Sequence, residues 1–309
     1  MIGILSVPGG EELVRASTSV SIIQGIVQVL FDGIAFGMLL FVMSVGLSIT
    51  LGMMRFANLA HGVFAMLGGY VTATLMHRAG WPFLATLPAA FVLVAVASVF
   101  LERFLYRRMY AAKELDQVLL TVGIIYMAIA AAAYVWGPEP QAFALPDWLT
   151  VYRQIGWFSF STYGALLLAI GTVITLGIFF GLERTRFGAM IRAAVDDRRV
   201  ALGVGINVNL VFTITFAIGS GLAGLGGALG INALGLDPSF PIEYLVFFLI
   251  VVSIGGTGGT VKGALAAALL LGLSDTAGKY YVPQTGAFII YVVMLLVMLW
   301  RPNGLFGRA

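Results

Sequence analysis

Few residues in this chain could make or break a covalent bond. Of its 309 residues, two are histidines, His61 and His77, and none is cysteine. The histidines do not form the H-E-x-x-H run that would place two imidazoles on one helix face around a metal, and no G-x-S-x-G elbow presents a nucleophilic serine. Without cysteine there is no thiolate, no disulfide and no cysteine metal site. Gly278-Lys279 is followed by Tyr280 where a phosphate-binding loop needs Ser or Thr, so the chain is expected to bind no ATP itself. Proton- or sodium-coupled carriers keep carboxylates inside their helices because such groups are costly there. Asp32 and Asp275 come nearest to that description, and each stands at the end of an apolar run. Metal, hydrolytic and nucleotide chemistry are therefore disfavoured, and any pumping energy is expected from another subunit.

Polar groups that fall where helices break have a different use. Arg55 to Gly62 interrupts an apolar region and contains Asn58 and His61; a second interruption, Gly255-Gly256-Thr257-Gly258-Gly259-Thr260, follows Ser253. Unwound backbone inside a bilayer must hydrogen-bond to protein or to water in a cavity, because lipid offers no partner. Short, glycine-interrupted segments in both halves of a chain point to a translocation pathway. Asn58, His61, Ser253, Thr257 and Thr260 are accordingly the pathway candidates. Two blander uses compete: His61 fits satisfaction of backbone groups in the broken segment better than substrate contact, and the 255–260 cluster suits close helix packing equally well. The run Gly219 to Gly227, with its small-xxx-small spacings, reads as packing.

The elements carrying these residues are membrane spans. Hydrophobic residues make up 60% of the chain and charged residues 10%, with a mean hydropathy of +1.01; a soluble domain has about 25% charged residues. A span needs roughly 20 mostly apolar residues. Apolar runs predict helices near 34–54, 62–76, 83–101, 116–136, 162–182, 208–230, 244–257, 261–276 and 286–300. Ile22 to Phe31 is too short to span and runs into Asp32-Gly33, so it is expected as an interfacial or re-entrant helix. The fold class is all-α: one polytopic transmembrane bundle over residues 1–309, with about 8–10 membrane segments including short and broken ones. Glu11, Glu12 and Arg15 near the start, without a basic-then-apolar pattern, speak against a cleavable signal peptide.

Charge placement predicts orientation. Arg103, Arg107, Arg108 and Lys113 fill one loop, and Arg184, Arg186, Arg192, Arg198 and Arg199 another; both are expected inside by the positive-inside rule, as are Arg301 and Arg308 at the C-terminus. The stretch Gly137 to Ser161 holds Glu139, Asp147 and a single Arg153, and is expected outside, with Trp81, Trp136, Trp148 and Trp157 at the outer interface. The N-terminus then lies outside. The net charge of +3 forms no basic face suited to nucleic acid.

Glu183 to Asn207 is the most patterned loop. Phe187, Met190, Ile191 and Ala194 recur at helical spacing opposite Arg192, Asp196, Arg198 and Arg199, which predicts a short amphipathic helix able to dock on a partner. The chain here resembles the permease subunits of bacterial ABC importers of the branched-chain amino-acid type, in their LivH-like branch. Three stretches carry the resemblance: GLSITLGMMRFANLAHGVFAMLGGY (46–70), ERTRFGAMIRAAVDDRRVALGVGINV (183–208), and SIGGTGGTVKGALAAALLLG (253–272) with RPNGLFG (301–307).

The resemblance implies the ABC importer permease fold and a second homologous permease, most simply a distinct one. It also implies two cytoplasmic ATPases, an external substrate-binding protein and a place in the bacterial inner membrane. This chain would hold no cofactor, ATP being bound by its partners. The ATPase-coupling residues would be Arg192, Ala193, Ala194, Asp196, Asp197, Arg198 and Gly203. Arg192 stands where the family's loop begins with Glu, and Arg199 where an acidic residue is common. Branched-chain or other amino acids come first as substrates; urea, short amides and aromatic or carboxylic acids belong to the same importer type. A passive channel or secondary carrier would need no docking helix.

Overall fold

The computed structural model describes residues 10–306 except 55, 57, 111, 142 and 257–260, with backbone alone for 10–21, 52–54 and 183. Helix α1, Gly10–Met54, is 45 residues long, about 68 Å at 1.5 Å per residue. The expected separate segment at Ile22 to Phe31 is corrected: it is part of α1, and the span runs unbroken from Ile22 to Leu51. Asp32 does not break the helix because its carboxylate accepts from Gln28 Nε2 at 2.7 Å. Gly33 does not because its bare Cα lets Leu273 of a neighbouring helix come close.

Helix α2 (His61–Ala79) follows the first break, and Gly80 at φ +65° ends it. Helix α3 (Phe83–Leu101) continues through a wider π-helical turn, Glu102–Tyr106, to Met109, and α4 (Glu114–Trp136) returns. Between α4 and the next span lies an element outside the all-α expectation, the antiparallel hairpin of β1 (Tyr152–Ile155) and β2 (Phe158–Ser161). Its two-residue loop has Gly156 at φ +60°, the conformation tight hairpins require. Phe158 and Phe160 pack on Phe31 of α1, each with ring centroids 5.7 Å away.

The second half comprises α5 (Thr162–Glu183), α6 (Arg186–Asp196), α7 (Arg198–Gly203), α8 (Val208–Leu234), α9 (Leu245–Gly255), α10 (Val261–Tyr281) and α11 (Gly286–Trp300). Among the described residues six helices are long and apolar enough to cross a membrane: α1, α3, α4, α5, α8 and α10. Two shorter apolar segments, Phe240–Gly255 and Gly286–Trp300, join them. The chain is a helical polytopic membrane protein.

Its core is α8 wedged among α1, α2 and α3. The glycine run of α8 makes this possible: a Cβ on Gly227 would overlap the Ala65 carbonyl of α2, one on Gly68 the Gly224 carbonyl, and one on Gly46 the Gly219 carbonyl. The described half of the second glycine cluster is also a packing device. A Cβ at Gly255 would stand 2.9 Å from the Gly263 carbonyl carbon, and Gly256 at φ +98° ends α9. The chain beyond α11 folds back there, with Leu305 N donating to Ile254 O at 2.7 Å.

Candidate functional site: the α6–α7 loop and the helix breaks

Local sequence fixes both helices of the loop. Thr185 caps α6, its hydroxyl accepting from Gly188 N at 3.2 Å. Asp197 caps α7, its carboxylate accepting from Arg199 N at 2.8 Å and Val200 N at 3.0 Å. Such caps supply acceptors for the first N–H groups, which no helix can satisfy internally. Ile191 and Ala194 of the predicted stripe are buried, with Ala201, Val208, Val211 and Phe212, in a small core joining the loop to the N-terminal end of α8. Arg192 donates to the Leu182 carbonyl, and Arg198 to Asn209 Oδ1 at 3.2 Å. The loop is thus a clamped platform continuous with α5 and α8.

Of the residues named from sequence, Arg192, Asp196, Asp197, Arg198 and Gly203 are exposed, Ala193 is half-buried and Ala194 faces the bundle. Beside those charges, three side chains that the sequence reading passed over project outward: Val200 at 61% exposure, Leu202 at 53% and Val204 at 71%. The signal was present as an apolar run, Val200-Ala201-Leu202, in a charged loop whose α6 stripe already accounted for burial.

At the first break Asn58 and His61 lie together, both buried, with His61 N donating to Asn58 O at 3.3 Å. The Asn58 side-chain oxygen accepts from Tyr106 OH at 3.2 Å. His61 Nε2 stands 2.9 Å from the Met43 carbonyl of α1, and its ring lies edge-on to Phe248 of α9 at 6.1 Å. Ser253 is further along α9 and half-buried; Thr257 and Thr260 lie outside the described residues. Among the described residues four buried polar atoms have no hydrogen-bond partner: Ser44 Oγ, Asn58 Nδ2, Tyr70 OH and Thr72 Oγ1. Ser44 is on α1, Asn58 at the break, and Tyr70 and Thr72 on α2.

A family model described as the branched-chain amino acid transport system permease component matches residues 29–298. The chain belongs to that family. It is 27% identical over 300 residues to the high-affinity branched-chain amino acid transport system permease protein LivH of Escherichia coli K12, covering 91% of this chain and 95% of LivH. BraD of Pseudomonas aeruginosa, a permease protein of the same description, is 25% identical over 296 residues, covering 91% and 95%. LivM of E. coli K12 is 26% identical over 292 residues, covering 87% and 68%. No solved structure matches the chain.

One polar group of this permease escaped the sequence reading altogether. Glu102, adjacent to the arginines of the first basic loop, is 1% exposed. Its carboxylate accepts from Tyr110 OH at 3.0 Å and from Thr213 Oγ1 of α8 at 2.8 Å. The π-turn that begins at Glu102 belongs to a class of helix irregularity often found at functional sites. Burial, and then the neighbouring carboxylate, push the Tyr110 phenol well above its ordinary range, so it stays protonated and keeps donating. The Tyr110 ring in turn packs edge-on against Phe212 of the platform core at 6.1 Å. Loop, basic turn and α8 therefore form one connected unit at this end of the bundle.

Proposed function

We propose that this chain is one of two permease subunits of an ATP-driven importer for branched-chain or other amino acids. Its α6–α7 platform receives a cytoplasmic ATPase. The observation that carries this reading is the outward apolar set Val200, Leu202 and Val204, flanked by exposed Asp196, Asp197 and Arg198 on a loop clamped to two membrane helices. Exposed apolar groups rimmed by charge suit a protein partner. The chain's similarity to both LivH and LivM, two permease proteins of E. coli, supports pairing with a distinct homologue. An external binding protein delivers the substrate, and the partner ATPases alone bind ATP.

In this reading the N-terminus is outside and the arginine-rich loops and C-terminus are cytoplasmic, in the inner membrane, as the loop charges favour. ATP binding moves the docked platform. Because α6 continues from α5 and packs on α8, the motion reaches the bundle as a rigid-body shift that switches the pathway between outward and inward openings. Asn58, His61, Ser253, Thr257 and Thr260 lie along that pathway, supported by the unpartnered polar atoms that run from the break along α2.

Co-expression with the neighbouring genes and co-purification in detergent tests the assignment. Two ATPase subunits stay with the native chain, and charge reversal at Asp197 and Arg198 or Leu202→Glu releases them. A native chain that retains no ATPase, yet alone in liposomes moves small solutes, would make it a channel or carrier.

A further inference from the structure

A crevice of about 350 Å³ opens between α5 and the α3–α8 face, with the start of α6 at its end. Its wall on α5 is formed by Ile174, Gly177, Ile178, Gly181 and Leu182, and a Cβ added at Gly177 or Gly181 would meet nothing within 4 Å. Phe187 and Ile191 of α6 close the end nearest the basic loop. The two hydroxyls in the lining are already committed within their own helices: Thr185 Oγ1 bonds to Gly181 O and Thr215 Oγ1 to Val211 O. The crevice therefore presents no free polar group and selects an apolar occupant. Its position along α5 and α8 lies within segments apolar enough to span the membrane, where the available apolar molecule is a lipid chain.

The rim adds charge. Residues 183–192 contain Arg184, Arg186 and Arg192 against one carboxylate, Glu183. Arg192 is tied to the Leu182 carbonyl, while Arg184 and Arg186 are exposed and flank in sequence Thr185, which lines the crevice. Exposed basic residues next to a crevice-lining position attract anionic headgroups.

We infer that the crevice holds an acyl chain of an anionic phospholipid whose headgroup is bound by Arg184 and Arg186. The chain then lies against Phe187 and Ile191, so the lipid props the root of the platform helix from below. Its site is separate from the helix breaks and from the outward face of α7, and it does not depend on the ATPase assignment.

The test is to purify the permease from nanodiscs of mixed phosphatidylglycerol and phosphatidylcholine and to count retained lipids by native mass spectrometry. The native chain keeps one phosphatidylglycerol. Gly177→Leu/Gly181→Leu fills the crevice and loses it, while Gly123→Leu on α4, whose surroundings are equally open, keeps it. Arg184→Gln/Arg186→Gln leaves the apolar wall intact and weakens the preference for phosphatidylglycerol by about fivefold per arginine. These two surface changes carry the test should the double leucine variant not fold. Equal lipid retention in the native and crevice-filled chains overturns the proposal. So does loss of a second permease subunit from the crevice-filled variant with lipid unchanged, which would make the occupant a partner helix.

Discussion

Helices α5 and α8 are both glycine-bearing membrane spans, yet the fold packs them differently: Gly164 and Gly171 of α5 meet Phe31 and Met38 of α1, but the later half of α5 is left open. In α8, 61% of the most apolar window is buried; in α5, 11% is. The glycines of α8 let three neighbours approach at backbone distance: Gly219 meets Gly46 of α1, Gly227 meets Ala65 of α2, and Gly221 meets Phe91 of α3. On α5, Gly177 and Gly181 meet nothing. Hydropathy identifies a span, whereas close packing between spans depends on small residues being matched by a partner surface, since lipid and leucine are equally apolar.

The largest expected effect comes from breaking the α8 side of that contrast. Gly227→Leu must push the Ala65 backbone aside and should cost about 3 kcal/mol or more, seen as a collapse of the thermal transition in detergent, whereas Gly177→Ala should stay within about 0.5 kcal/mol. Equal losses at the two positions would end the distinction between a packed and a lipid-facing helix.

Next is the polar tie between α3 and α8. Glu102→Ala deprives Tyr110 of its acceptor and should cost about 1–3 kcal/mol. Glu102→Gln keeps an acceptor oxygen and should cost less. Thr213→Val leaves the carboxylate its Tyr110 donor and should be the milder change; a larger loss from it than from Glu102→Ala would show that the tie does not run through the carboxylate.

A smaller effect separates capping from docking. Asp197→Ala should destabilise α7 by about 1 kcal/mol, read as faster amide exchange at Arg199 and Val200. Asp197→Asn keeps the cap and removes the charge. If both variants release the ATPase, the charge makes the contact; if the alanine variant alone does, the geometry of α7 does. Smallest in stability is Leu202→Ser, an exposed position where the change should stay within about 0.5 kcal/mol while ATPase retention falls. Unchanged retention would remove Leu202 from the docking face.

Much of this architecture is legible in the residues. Apolar runs place the spans because only a long apolar helix can hide its backbone in lipid, and 83–101, 208–230 and 286–300 start where α3, α8 and α11 start. The stripe Phe187, Met190, Ile191, Ala194 gives α6 because helical period alone decides which side chains share a face. The Asn58-x-x-His61 break and the glycine run in α8 are likewise visible as local pattern.

Only the tertiary structure could decide the rest, because each remaining feature depends on a partner far away in sequence. The helix passes through Asp32-Gly33 because Leu273 packs there; Glu102 is buried because Thr213 and Tyr110 donate to its oxygens; and the Gly156 hairpin is fastened by Phe31. Val200, Leu202 and Val204 are apolar by sequence, but whether apolar groups face a core or a partner depends on what the rest of the chain brings against them. Here it brings nothing within the described residues to cover them, and the same is true of the open wall at Gly177 and Gly181.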